Sequence, residues 1–248
     1  MNGVLLLRLA GPMQSWGTCS RFVERETLLE PSKSGVIGLI CAAMGISRDD
    51  DAALHTLATL EMGVRVDREG RLARDFQTAG GGRWPGLKKY GVIKADGSAP
   101  DTVISNRYYL ADAEFTVALG GDSVLLEKIS LALDNPVWPL SLGRKSYVPG
   151  KPIRPKDGSL NLEILNCTVE EALRTQPYLY RENRTDKKTG QIRMILENLS
   201  GEGTRVMDQP LSFKSNNRRY GARYVKIFWI NIQNEKGGGG DDSIAIDT

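Results

Sequence analysis

EPSKSGVIGLICAAMG, residues 30–45, has a Lys-Ser pair followed by glycine and an apolar run, and its reading decides the fold. A Walker loop needs glycines before its lysine, so that successive backbone N–H groups wrap a phosphate. Here Glu30, Pro31 and Ser32 precede Lys33; the proline removes a donor and no glycine permits the wrap, which argues against ATP hydrolysis. The stretch reads instead as a helix capped by Ser34, with body GVIGLICAAMG, stopped near Gly45. Its glycines weaken helix propensity, so close packing against a sheet must compensate. A helix N-terminus still favours an anion, and Lys33 with Ser32 and Ser34 would suit an RNA phosphate.

Upstream, VLLLRLAG (4–11) reads as a buried strand ending in the Gly11-Pro12 turn. Downstream, SRDDDAALHTLATL reads as a second helix with Asp49, Asp50 and Asp51 near its N-terminus. LEMGVRVD and RLARDFQT follow as strands, then SNRYYLADAEFTVALGG as paired strands. DSVLLEKISLALD is an amphipathic helix with apolar positions at Val124, Leu125, Ile129 and Leu133, and a strand is expected near PLSLGRKSYVP. This order predicts an α+β fold of ferredoxin-like, RNA-recognition type over residues 1–148, with helices on one face of an antiparallel sheet. Residues 149–235 read as mostly β, with strands at LNLEILN, QIRMILENL and ARYVKIFWINI, and 236–248 as a flexible acidic tail.

Residues 78–103 are glycine-rich, basic and dotted with aromatics, too long for a simple connection. Arg83, Trp84, Lys88, Lys89 and Tyr90 suggest a finger that orders on binding.

The chain of 248 residues, 40% hydrophobic and 25% charged, can bury a substantial core and has no apolar run near the roughly 18 residues of a membrane span. Its net charge of +3 hides segregation. Arg71 to Tyr109 holds seven basic and three acidic residues, and Arg181 to Lys226 eleven and five. Such segregation is how a polyanion-binding protein distributes charge, and equally how a solvated charged surface looks. Arg107-Tyr108-Tyr109 and LGRKSY (142–147) place cations beside aromatics, as single-stranded nucleic acid requires. Strand alternation puts one of Tyr108 and Tyr109 toward the core and the other on the surface.

The three cysteines are widely spaced, which argues against a disulfide framework or zinc site and for a reducing cytoplasm; Cys41 reads as a core residue. The acidic residues show no metal-site spacing, and no cofactor is expected. His55, the only histidine, sits in a predicted helix beside Leu54 and Leu57, a structural setting. Ser15 and Ser34 lack histidine-acid partners. No catalytic residue is assigned.

LLLRLAGPMQSWG, PSKSGVIGLICAAMGISRDD, YYLADAEFTVAL and LGRKSYVP together closely resemble the fifth Cas protein family of the RAMP superfamily, in its type I-E form, the CasD subunits of the CRISPR surveillance complex Cascade. The resemblance implies a modified ferredoxin-like fold with a projecting thumb at about 78–103 and a C-terminal β region. It implies a non-catalytic, cytoplasmic subunit that holds the 5′ handle of the CRISPR RNA and caps the backbone, touching CasC and CasA, in a complex that recognises target DNA. Handle contacts implied by it are Gln14, Ser15 and Trp16, Lys33 and Ser34, and Arg144, Lys145 and Ser146. In related type I-C systems the equivalent subunit cuts the repeat RNA, so a metal-independent endoribonuclease stands as the alternative, and a protein-only adaptor as a third reading.

Overall fold

The computed structural model of the chain describes residues 2–17, 23–80, 91–92, 97, 101–178 and 190–231. Strand β1 (Asn2–Ala10) shows why the N-terminal run is almost wholly apolar. Leu5, Leu7 and Leu9 join one hydrophobic cluster, while Val4 and Leu6 join another on the opposite face of the sheet. A strand covered on both sides has no polar face to alternate.

After the short strands β2 (Met13–Gln14) and β3 (Glu24–Arg25) come helices α1 (Lys33–Met44) and α2 (Asp51–Ala58), then β4 (Glu61–Arg68) and β5 (Arg71–Ala79). β6 (Val103–Ala111), β7 (Glu114–Asp122), α3 (Ser123–Asp134), α4 (Val169–Thr175), β8 (Gln191–Glu197), β9 (Thr204–Ser212) and β10 (Arg219–Asn231) complete the order. The larger sheet runs β1-β7-β4-β8-β10-β9, and every pairing in it is antiparallel. The C-terminal strands thus extend the sheet begun by β1. A second sheet, β2-β6-β3 with β5 on β6, carries the inserted segment.

Ser32, not Ser34, caps α1: its backbone is extended and its hydroxyl accepts from the Gly35 N–H, whereas Ser34 is already helical. Gly45, at φ +71°, ends the helix, and the Ile46 N–H closes onto the Cys41 carbonyl. Asp50 caps α2 through the Ala53 N–H. On α3 the buried stripe is Leu126, Ile129 and Leu133; Val124, expected on it, is exposed.

Two predicted strands are absent. PLSLGRKSYVP is a chain of bends and turns, because Pro139 and Pro149 bracket Gly143 at φ +90°. LNLEILN makes only one bridge, Leu165 to Val4. Residues 150–165 follow the outer edge of β1 with spaced bonds from Gly150 N–H to Ala10, from Arg8 N–H to Ile153, and mutually between Val4 and Leu165. Pro152 and Pro155 withhold donors, so the stretch covers the edge without becoming a strand. Four elements went unpredicted, the two-residue strands β2 and β3 among them. β9 contains Pro210, as an edge strand tolerates. α4 opens on a capping box in which the Thr168 hydroxyl accepts from the Glu171 N–H and the Glu171 carboxylate accepts from the Thr168 N–H.

Helices α1 and α3 contact each other, α3 packs on β1 and β7, and α4 packs on β4, β7 and β1 among residues of the second cluster. Arg65, 2% exposed, fastens α4 to the sheet. Its Nε donates to Asp67 (2.9 Å), Nη1 to the carbonyls of Leu173 and Gln176 (both 2.7 Å) and Nη2 to that of Pro177 (2.9 Å). Those carbonyls are the end of α4, where orphaned acceptors and the negative pole of the helix favour a cation. Burial raises the Asp67 carboxyl pKa, opposed by Arg65 and by the Thr116 hydroxyl donating at 2.6 Å. Arg65→Met should therefore lower stability by about 3–5 kcal/mol, read as a fall in the urea midpoint. Adding Asp67→Asn should recover part of the loss, and an unchanged midpoint in the single variant would contradict this role.

Candidate nucleic-acid interface

The turn after β1 brings four distant segments together. Gln14, fully buried, donates its amide to the carbonyls of Leu9 (3.1 Å) and Ala113 (2.8 Å), and its oxygen accepts from Trp16 Nε1 (3.2 Å). The Trp16 ring lies so close to the first turn of α1 that a Cβ on Gly35 would stand 2.8 Å from it. Ser15 donates its hydroxyl to the Tyr108 carbonyl (3.2 Å) and its N–H to the Leu142 carbonyl (3.1 Å). Gln14, Ser15 and Trp16 are all buried, so the structure gives them the work of bracing β6, α1 and the 142–147 loop.

That loop turns at Gly143, where a Cβ would fall 1.8 Å from the Ser15 carbonyl oxygen. No other residue fits. Arg144, half-buried, donates to the Tyr147 hydroxyl and the Arg25 carbonyl, both at 2.9 Å, and its guanidinium lies 5.4 Å from the Tyr147 ring centroid. Tyr147 meets Tyr109 at 5.9 Å between centroids. Lys145 and Ser146 project as exposed residues.

β6 is the centre of this surface. β5 pairs along it from Arg71↔Ala111 to Ala79↔Val103, while β2 and β3 pair on its other side. Cross-strand partners share a face. Arg107, Tyr109 and Arg25 therefore stand together beside the Arg144–Tyr147 loop, with Asp75 opposite Arg107. Arg107 Nε donates to the Ser105 hydroxyl at 3.1 Å. The reverse face pairs Tyr108 with exposed Arg74 and Asn106 with exposed Phe76. Tyr108 and Tyr109 are both half-buried, but only Tyr109 packs against the main hydrophobic cluster, which is the division that strand alternation expects.

Arg25, Arg74 and Phe76 were missed from sequence. Arg25 looks like one charge in the mixed run VERE, and its position is set by two residue pairs with β6. Arg83, Trp84, Lys88, Lys89 and Tyr90 lie outside the described residues.

Lys33 and Ser34 are placed apart from this face. Lys33 is 2% exposed and its ammonium donates to both carboxylate oxygens of Glu197, at 2.8 and 3.0 Å. Burial holds its pKa below the usual lysine range despite that partner. Its backbone N–H donates to Asp208 at 2.7 Å, and Asp208 is gripped in turn by Arg223 at 2.5 and 2.9 Å. Ser34 is buried as well. An anion does sit at the start of α1, as the dipole and free N–H groups favour, but it is a carboxylate of β9.

Among the described residues no cluster of three or more His, Cys, Asp or Glu could hold a metal ion, and no helix is long and apolar enough to cross a membrane. His55 is exposed on α2 with Nε2 3.0 Å from the Leu211 carbonyl. Burial pushes the Cys41 thiol up to about 11, away from thiolate chemistry.

The family model described as CRISPR-associated protein (Cas_Cas5) matches residues 4–226. The chain is similar to the CRISPR system Cascade subunit CasD of Escherichia coli (strain K12), 35% identical over 160 residues, 59% of this chain and 67% of that one. A chain of a solved CRISPR RNA-guided surveillance complex is 39% identical with a TM-score of 0.76, over 92% of this chain and 90% of that one. A crystal structure of a Cas protein, also 39% identical, gives a TM-score of 0.68 over 92% and 95%.

Lys33→Ala should lower stability by about 3–5 kcal/mol, because it leaves the Glu197 charge buried and unpaired. Lys33→Met combined with Glu197→Gln should recover most of that loss in the same urea titration. Equal losses in both variants would show that the pair is not what the packing depends on.

Proposed function

The chain belongs to the CRISPR-associated Cas5 family, and from that premise we propose that it is a cytoplasmic subunit of a type I-E Cascade complex that holds the 5′ handle of the CRISPR RNA without cutting it. The observation that carries the reading is the face of β6 where Arg107, Tyr109, Arg25 and the Arg144–Ser146 turn converge. Cations there reach phosphates, while Tyr147, 4% exposed, orients Arg144 from within the turn and does not offer an open stacking surface. The face lies at the root of the 78–103 insertion, which we read as the thumb, with Arg83, Trp84, Lys88, Lys89 and Tyr90 as its contacts. Arg144, Lys145, Ser146 and Arg107 remain the proposed handle residues, while Tyr108, on the reverse face of β6, is not part of this surface. Gln14, Ser15 and Trp16 act through the braces already described, and Lys33 and Ser34 hold the fold.

Strand order β1-β7-β4 with helices α1, α2 and α3 in the connections supports a ferredoxin-like reading, in which 150–165 stands in place of the fourth strand beside β1. Assembly with CasC, CasA and the other subunits, and through them with target DNA, follows from the same membership. The non-catalytic reading is supported by His55 lying on α2 against β9, outside the elements that build the basic face, and by the protonated state that burial imposes on Cys41.

Binding of 5′-labelled repeat RNA across a salt series tests this. Lys145→Ala and Arg107→Ala should each weaken binding several-fold and reduce the slope of log K against log salt by about 0.7, the value of one single-strand phosphate contact. Lys33→Met/Glu197→Gln should bind as wild type does. Unchanged binding in the first two variants would remove the face from the account. A discrete cut of the repeat RNA in EDTA would make the chain the processing nuclease instead.

A further inference from the structure

The face of β6 turned toward the Arg144–Tyr147 loop offers cations but no open ring, since Tyr147 is buried and Tyr109 packs on the main cluster. The open ring stands on the reverse of the same ladder. There Leu72, Arg74, Phe76 and Thr78 of β5, all exposed, pair with Leu110, Tyr108, Asn106 and Ile104 of β6. Phe76 is 65% exposed.

A lone exposed phenylalanine needs no explanation, but this one has company. Arg74 is the next residue on its face and lies directly across from Tyr108, which puts Tyr108 on the diagonal from Phe76, about 7–8 Å away. Among the described residues no carboxylate pairs with Arg74, whereas Arg107 on the front has Asp75 opposite it. Two rings with a cation between them match an unpaired nucleotide, whose base stacks and whose phosphate needs a positive charge. Leu72 and Ile104 would suit a protein partner as well, but position favours RNA. β5 is the outer strand of this sheet among the described residues, and a sheet with its side chains is about 10 Å thick. A strand held by phosphate contacts at Arg107 therefore reaches Phe76 around that edge within a few nucleotides.

We propose that Phe76 is the stacking platform for an unpaired base of the bound RNA, with Arg74 on a neighbouring phosphate and Tyr108 extending the ring surface. The proposal rests on the handle-holding reading and adds to it a base-binding subsite on the other face of the ladder.

Repeat RNA carrying 2-aminopurine at one position at a time tests it, because stacking quenches the fluorescence of that base. With the full chain, one position should be quenched on binding, and Phe76→Leu should raise its emission at least about twofold and weaken binding at least about fivefold. Phe76→Trp should keep the quenching. Arg74→Gln should lower the slope of log K against log salt by about 0.7 and leave the stacked position quenched. Wild-type binding with the expected salt slope, but with emission unaltered by Phe76→Leu at every position, would overturn this proposal alone. Absence of binding by the wild type would overturn the handle reading and this subsite with it. If Phe76→Leu instead impairs assembly with the other subunits while RNA affinity and emission stay the same, the face belongs to a protein and the proposal fails.

Discussion

A carboxylate at the start of α1 governs both the fold and the reading of its function. Asp208 accepts the Lys33 N–H and is held by Arg223, while the Lys33 ammonium meets Glu197. Through these bonds the first helix is locked to β8, β9 and β10, strands that lie more than 150 residues away in the chain. Buried charges demand partners, and these four groups satisfy one another. The consequence for function is direct. The helix terminus that a sequence would assign to a ligand phosphate is filled from within, and the exposed cations are found on another face.

That other face is built from groups that are themselves out of reach of solvent. Gln14 bridges the carbonyls of Leu9 and Ala113, Trp16 lies against Gly35, and the Ser15 backbone fits against Gly143. Arg144 is oriented by the Tyr147 hydroxyl and the Arg25 carbonyl. A backbone held this way fixes the turn that carries Lys145 and the strand that carries Arg107, and on the proposed reading little ordering entropy would be lost there on binding RNA.

Much of the frame was legible in sequence. β1, α1, α2, β4, β5, β6, β7 and α3 all lie close to where periodicity and turn residues put them; most bury a regular apolar pattern, whereas β5 is exposed and held by its pairing along β6. What failed did so for physical reasons. The segment 139–149 carries strand-like residues, but Pro139 and Pro149 remove donors and Gly143 turns the chain, while 160–166 meets β1 at the single bridge Leu165 to Val4. α4 is only seven residues, and its capping box TVEE at 168–171 was the available signal. The site was half legible. The motifs QSW, KS and GRKS do meet tertiary partners, but burial separates the braces from the contacts, and for Lys33 the partner lies in β9, whose mixed sequence TRVMDQPLS hides a strand and its critical Asp208.

The central claim is that RNA meets the β6 face and the 142–147 turn, and not the start of α1. Photocrosslinking of handle RNA carrying 4-thiouridine, followed by peptide mapping, tests it most directly. Crosslinks should map to peptides holding Arg107–Tyr109 and Arg144–Tyr147. Crosslinks concentrated on residues 30–36 would contradict the account, since they would require the Lys33–Glu197 and Lys33–Asp208 bonds to open when RNA binds.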